Sequence, residues 1–377
     1  MIELLFILFI FRDFVGKYIP YGEYYFIIVA LVLLLIKIYS NRSRNPFVFI
    51  TYFNVYLLIL IFPSFIQVGI APTLIGILNL SLFLNFIHLN HTIDKARIDR
   101  CLKFTALLLS VGTIIQFFIH PTIFGLISEN LFTNKDVLAN LNFTKRGISF
   151  IKSPQTLGFV LSLFLMWSNS KNLVFRILIF TAGILTFSKS FFFPIFLYYL
   201  YRNIKAGIIV LPILTGFLLY FGVFELSGFE RILNIPKFLE GFLESDRFLA
   251  YSQFFNKEYY PQWFLGNGLG ALSRGAEIYT NGSLLSSESF LLQILYETGI
   301  IGLILILMTF YQIYSKLDSG KEFMSISLLV SIFTPSLYGF SASLIFYSII
   351  KSELANGIFN PNECLPKRET EISTTSN

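Results

Sequence analysis

The chain has 377 residues, of which 55% are hydrophobic and 13% charged, with a mean hydropathy of +0.70 and a formal net charge of +6. A soluble domain keeps roughly 25% of its residues charged because its surface must be wetted, so half that share excludes a water-soluble enzyme. The positive balance does not point to nucleic acid, because the basic residues stand in short runs between apolar stretches, as in cytoplasmic loops of membrane proteins.

Taken in chain order, the apolar start Met1–Phe11 lacks a basic leader and a small-residue cleavage site, so it reads as part of the mature fold. Crossing hydrocarbon takes about 20 apolar residues as a helix, because lipid cannot satisfy backbone N–H and C=O groups. Spans are expected at Tyr24–Ile38, Phe47–Phe65, Ala71–Leu89, Leu102–Ile119, Thr156–Trp167, Leu173–Phe187, Phe191–Tyr201, Ala206–Val223, Phe290–Ile313 and Phe323–Ile350. The last stretch contains Pro335 and Gly339, and is either one kinked helix or two short ones. The expected fold class is all-α, a polytopic membrane helix bundle of about eleven or twelve spans. The bundle should cover residues 1–351, and a polar tail should occupy 352–377.

Arg42 and Arg44, then Lys95, Arg97, Arg100 and Lys103, then Lys171, Arg202 and Lys205, and Lys316 and Lys321 fall in alternate loops. Placing them all on the cytoplasmic side skips no span and puts the N-terminus there too. Two long loops, about 120–153 and 224–287, then face the other side. Phe238–Phe255 in the second alternates aromatic and charged residues, the pattern of an amphipathic helix lying in the interface.

Ionisable residues near membrane depth are costly and are therefore functional candidates. On the external face these are Arg146, Lys152, Lys189, Arg231, Arg247, Arg274, Glu288 and Glu297. The set is rich in cations, which suits a phosphate or diphosphate carried on a lipid. Lys189 sits with Ser188 in a hydroxyl-rich break between apolar runs, where a snorkelling lysine marking a helix end is the equal alternative. Arg146 precedes a helix start signalled by Ser153 and Pro154, and an ordinary loop arginine is its alternative. Glu288 is either a capping acid favoured by the helix dipole or a general base at the membrane surface. Glu297 lies nine residues on, on the opposite face of one helix, and is expected to support packing.

His88, His91 and Asp94 have metal-like spacing but fall at a cytoplasmic helix end, so no metal is expected. No cofactor is expected either. Gly266-Asn267-Gly268-Leu269-Gly270 follows no clear strand and reads as a tight turn at the membrane surface, not a nucleotide loop. Asn90, Asn142 and Asn281 begin chance glycosylation triplets, and Cys101 and Cys364 are too far apart in sequence to suggest a disulfide.

Five segments in order carry a resemblance. They are Arg146 with Ser153-Pro154-Gln155; Thr186-Phe187-Ser188-Lys189; Asp246-Arg247-Phe248; Pro261 through Gly270; and Glu288-Ser289 with Glu297-Thr298-Gly299-Ile300-Ile301-Gly302. Over roughly Thr144 to Gly302 the chain resembles the O-antigen polymerase and ligase superfamily. Lys189 stands where that family usually has Arg, and Glu288 where its ligase-like members favour His.

The resemblance implies a bacterial plasma-membrane glycosyltransferase that polymerises undecaprenyl-diphosphate-linked repeat units into O-antigen or capsule. It assigns catalysis to Arg247 and Glu288, diphosphate binding to Arg146, Lys189 and Arg247, and support to Ser188, Arg274 and Glu297. The implied partners are lipid-linked glycans, the bilayer and a chain-length regulator protein, with no nucleic acid. A ligase of the same superfamily is one alternative. A carrier of lipid-linked sugars is another, and neither inverted repeats nor broken helices are evident in the sequence to favour it.

Overall fold

A computed structural model describes Phe6 and residues 47–77, 79–80, 84, 95–119, 149–151, 153–168, 172–186, 188–202, 263–272, 289–333, 337 and 340–358. Among these residues there are nine helices and no strand: α1 Val48–Val68, α2 Ile70–Ile77, α3 Lys95–Phe118, α4 Pro154–Trp167, α5 Leu173–Leu185, α6 Lys189–Arg202, α7 Phe290–Lys316, α8 Lys321–Phe333 and α9 Phe340–Ile358. The spans expected at Tyr24–Ile38 and Ala206–Val223, the amphipathic stretch Phe238–Phe255, and nearly all of Met1–Phe11 lie outside the described residues.

Helices α1, α3 and α7 are long and apolar enough to cross a membrane, while α4 and α5 are apolar but shorter. On α1, Ile50, Phe53, Leu57, Leu60 and Ser64 are buried at helical spacing, yet Leu58, Ile59, Phe62 and Ile66 on the other face are apolar and exposed. A helix apolar on every side needs either protein or lipid around it. Similar exposed side chains on α5 (Leu173, Val174, Ile177) and α7 (Ile304, Leu307, Met308) form the surface a bilayer would cover.

Two helices form the interior. Residues 157–166 of α4 are buried without a break, and so are residues 342–352 of α9. Helix α4 packs against α3, α5, α6, α8 and α9. Small residues permit two close approaches here, one of α4 to the start of α6 and one of α5 to α6. A Cβ on Gly158 would stand 2.9 Å from the Ser188 Cβ, and one on Gly183 would strike the Phe191 ring. The starts follow their sequence signals: Ser153 accepts from the Thr156 N–H at 3.4 Å ahead of Pro154, and Asn172 accepts from the Phe175 N–H at 3.3 Å.

The structure differs from the sequence reading in three elements. The stretch Phe323–Ile350 is two helices, α8 and α9, one of the two forms expected, but the second runs past the expected end to Ile358. The boundary expected at residue 352 thus falls inside α9, where Ser352 is buried and donates to Asp99 of α3 at 2.6 Å. Lys95, Arg97 and Arg100, expected in a loop ahead of the span at Leu102, occupy the first turns of α3; Lys and Arg are good helix formers whose long side chains keep their charge in water.

The third difference is in α7. Gly299 has φ 68 and ψ −172, which breaks the helix into limbs 290–298 and 300–316. The Phe290 and Phe310 rings are 6.3 Å apart between centroids. Twenty residues of straight helix would separate their Cα atoms by about 30 Å, so the first limb folds back along the second.

Contacts place the helix ends. The Lys316 ammonium lies 4.6 Å from the Phe47 ring centroid, and the Phe49 N–H donates to the Gln312 side chain at 3.3 Å, so the end of α7 meets the start of α1. Ser319 donates to Glu353, Lys321 sits over Tyr314, and Arg176 donates to Tyr199 at 2.6 Å. Lys95, Arg97, Arg100, Lys103, Arg176, Arg202, Lys316, Lys321 and Lys351 all lie toward this basic end of the molecule. Among the described residues, Lys189, the first residue of α6, is the one lysine or arginine outside this group.

Candidate functional site: two junctions opposite the basic end

The first junction is built on the glycine turn 263–272. Gly266, Gly268 and Gly270 have φ values of 82, 100 and 78, the left-handed region open chiefly to glycine. The turn is packed inside the protein: Gly266, Gly268, Leu269, Gly270 and Ala271 are buried, and only Phe264 and Leu265 are exposed. It is wedged between α1, α2 and the break in α7. A Cβ on Gly270 would overlap the Pro72 carbonyl, and one on Gly266 would lie 2.3 Å from the Glu297 carbonyl oxygen.

The break explains why irregular backbone is stable here. In an unbroken helix the Ile300 N–H would donate to the Tyr296 carbonyl. Instead it donates to the Trp263 carbonyl at 2.7 Å, and the Asn267 N–H donates to the Tyr296 carbonyl at 2.8 Å. The Asn267 side-chain amide adds a contact to the same carbonyl at 3.3 Å. One helical bond is exchanged for two bonds to the turn. This meets the requirement that buried backbone groups be satisfied where water is absent.

Helix α1 completes the junction. The Tyr56 hydroxyl donates to the Thr298 carbonyl at 2.7 Å, and Ser64 Oγ accepts from the Leu269 N–H at 2.9 Å while donating to its own Leu60 carbonyl at 2.6 Å. Neither residue was singled out from sequence. The available signal was Ser64 and Gln67 inside a span, beside Pro63, since polar groups within an apolar helix are kept where something needs them.

The second junction joins α4 to the turn between α5 and α6. Ser190 Oγ donates to the Gln155 carbonyl at 2.5 Å, Ser188 and Ser190 share a hydrogen bond at 2.6 Å, and Thr186 Oγ1 donates back to the Gly183 carbonyl at 2.7 Å. The hydroxyl-rich turn is thus a buried seam along Gly158.

Of the candidate residues, Ser188 lies in this seam and is buried, and Lys189 is the first residue of α6. Glu297 is fully buried beside the α7 break, its carboxylate accepting from the Gln293 amide at 3.2 Å. Arg146, Arg247, Arg274 and Glu288 lie outside the described residues, as do Lys152, Arg231, His88, His91 and Asp94. Ser289, next after Glu288, caps the first limb of α7 by accepting from the Leu292 N–H at 3.4 Å.

The chain matches no protein-family model and no curated protein.

Proposed function

We propose that the chain is a polytopic bacterial plasma-membrane glycosyltransferase that extends undecaprenyl-diphosphate-linked oligosaccharide, as an O-antigen or capsule polymerase. The observation that carries this reading is the pairing of its motifs. Segments that resemble the polymerase superfamily, and lie far apart in sequence, touch in two pairs. The glycine turn interlocks with Glu297-Thr298-Gly299, and Ser190, next after Thr186–Lys189, donates to the Gln155 carbonyl at the end of the Arg146 segment.

Sidedness supports the same reading. Cations cluster at one end, which by the positive-inside tendency is cytoplasmic, and both junctions lie away from it. The bundle then has about eleven or twelve spans, its N-terminus in the cytoplasm and its working face outside.

In the proposed step, an acceptor hydroxyl on one lipid-linked unit attacks the anomeric carbon of the growing chain on another. The new C–O glycosidic bond forms as the bond to the diphosphate breaks, and the diphosphate leaves on its lipid. Glu288 takes the hydroxyl proton. Arg146, Lys189 and Arg247 meet the charge that develops on the leaving diphosphate, with Ser188, Arg274 and Glu297 supporting them. Lys189 offers a point charge where an arginine would offer a fork. Complementation of a deletion strain tests the roles: Arg247→Ala is expected to leave only single repeats on the acceptor, and full-length polymer from that variant would remove Arg247 from the mechanism.

One observation favours a carrier of lipid-linked sugars as a second reading. Broken helices are a feature of carriers, and α7 is broken at Gly299, contrary to the sequence expectation. Protein in liposomes separates the two, since a carrier moves labelled lipid-linked sugar across the bilayer without lengthening it.

A further inference from the structure

The α7 break and the glycine turn are joined by backbone bonds, but a single side chain from another helix reaches both. The Tyr56 hydroxyl donates to the Thr298 carbonyl at 2.7 Å and stands 3.4 Å from the Phe264 carbonyl. Thr298 immediately precedes the pivot Gly299, and Phe264 belongs to the turn. The Tyr56 ring is also held: a Cβ on Gly302 would lie 3.1 Å from it, so the absence of a side chain there lets the ring sit against α7. Tyr56 belongs to α1, more than 80 residues upstream of the stretch that carries the resemblance.

We infer that Tyr56 is a positioning residue for the proposed site, fixing the spacing between the glycine turn and the broken helix that follows Glu288. Its effect on polymerisation rests on the functional reading above, and its effect on the junction does not. The hydroxyl acts on the backbone of both partners, so removing it leaves the ring packed while freeing a buried carbonyl. The turn can then shift relative to α7 without unfolding the bundle. Ser64 holds only the far side of the turn, through Leu269, and does not reach the break. Tyr52, one turn earlier on α1, is 55% exposed and provides a matched control.

The test uses the full-length protein with Cys101→Ala and Cys364→Ser, carrying Asn267→Cys and Tyr296→Cys. These positions are bonded backbone to backbone and are close enough for a disulfide. Oxidative cross-linking is measured on the monodisperse fraction. Tyr56→Phe is expected to lower its rate about fivefold, the scale of one lost buried hydrogen bond, and Tyr52→Phe to leave it unchanged. In the same background without the paired cysteines, Tyr56→Phe is expected to lower polymer per molecule about tenfold. Closing the disulfide should restore it and reduction should remove it again, a reversible rescue that a mere folding defect does not give. A cross-linking rate in Tyr56→Phe equal to that of Tyr52→Phe overturns the inference. If the rate falls but even the parent chain makes no polymer, the polymerase reading fails and the place of Tyr56 in the junction stands.

Discussion

Gly299 shows how one residue can set the shape of a whole span. At φ 68 and ψ −172 only glycine is comfortable, and a Cβ there would lie 2.3 Å from the Phe264 carbonyl oxygen. Gly299→Ala is therefore expected to cost at least about 1–3 kcal/mol, seen as a lowered apparent Tm in detergent; an unchanged Tm would mean that the break is not needed for the fold. Ser64→Ala leaves the Leu269 N–H without its acceptor in a dry setting. It should destabilise by about 1–3 kcal/mol, measured the same way, whereas an exposed change such as Phe62→Leu should do little.

The glycines were visible in the sequence as punctuation, but their setting was not. A Gly-x-Gly-x-Gly run states that the backbone needs positive φ. It does not state whether the turn faces water or another helix, because that depends on Pro72, Gly76 and Ser64, about 200 residues away. The caps at Ser153 and the break after Thr186 were legible because both depend on neighbours in sequence.

Among the helices, those whose ends are set locally fell close to where the apolar runs begin and stop: α1, α4, α5 and α6 each lie within a few residues of the expected span. Helix α7 also starts at the expected Phe290 and ends at Lys316, close to the expected Ile313, but its break was not legible, because hydropathy measures apolar length and a folded-back limb is as apolar as a straight one. The fold-back makes a direct prediction. Spin labels at Leu291 and Tyr311 should report a separation under about 20 Å, where a straight helix would give about 30 Å. The longer distance would show that α7 crosses as a single rod. The same reasoning applies to Phe323–Ile350, where Pro335 and Gly339 signalled a break but not its form. Two antiparallel helices follow from α8 starting beside α7 and α9 ending beside Asp99 of α3.

For the molecule as a whole, the separation of charge is the feature that most constrains function. Nine described lysines and arginines lie toward one end, while the two junctions, Lys189 and Glu297 lie away from it. If that arrangement sets orientation, Lys103→Cys in intact cells is expected to resist a membrane-impermeant thiol reagent, and Leu265→Cys on the exposed edge of the glycine turn to react. Reversed labelling would turn the site toward the cytoplasm and away from an exported glycan. The membrane class was readable from composition because it sums over the whole chain. The meeting of the motif pairs was not, because it depends on which helices pack together.

The most direct measurement is reconstitution of the purified protein in liposomes holding undecaprenyl-diphosphate-linked repeat units and no nucleotide sugar. A polymerase should convert them into a ladder of longer lipid-linked chains with release of undecaprenyl diphosphate, and Arg247→Ala should leave the units single. Units that stay unextended in the presence of well-folded protein, whether or not they cross the bilayer, would contradict a polymerase.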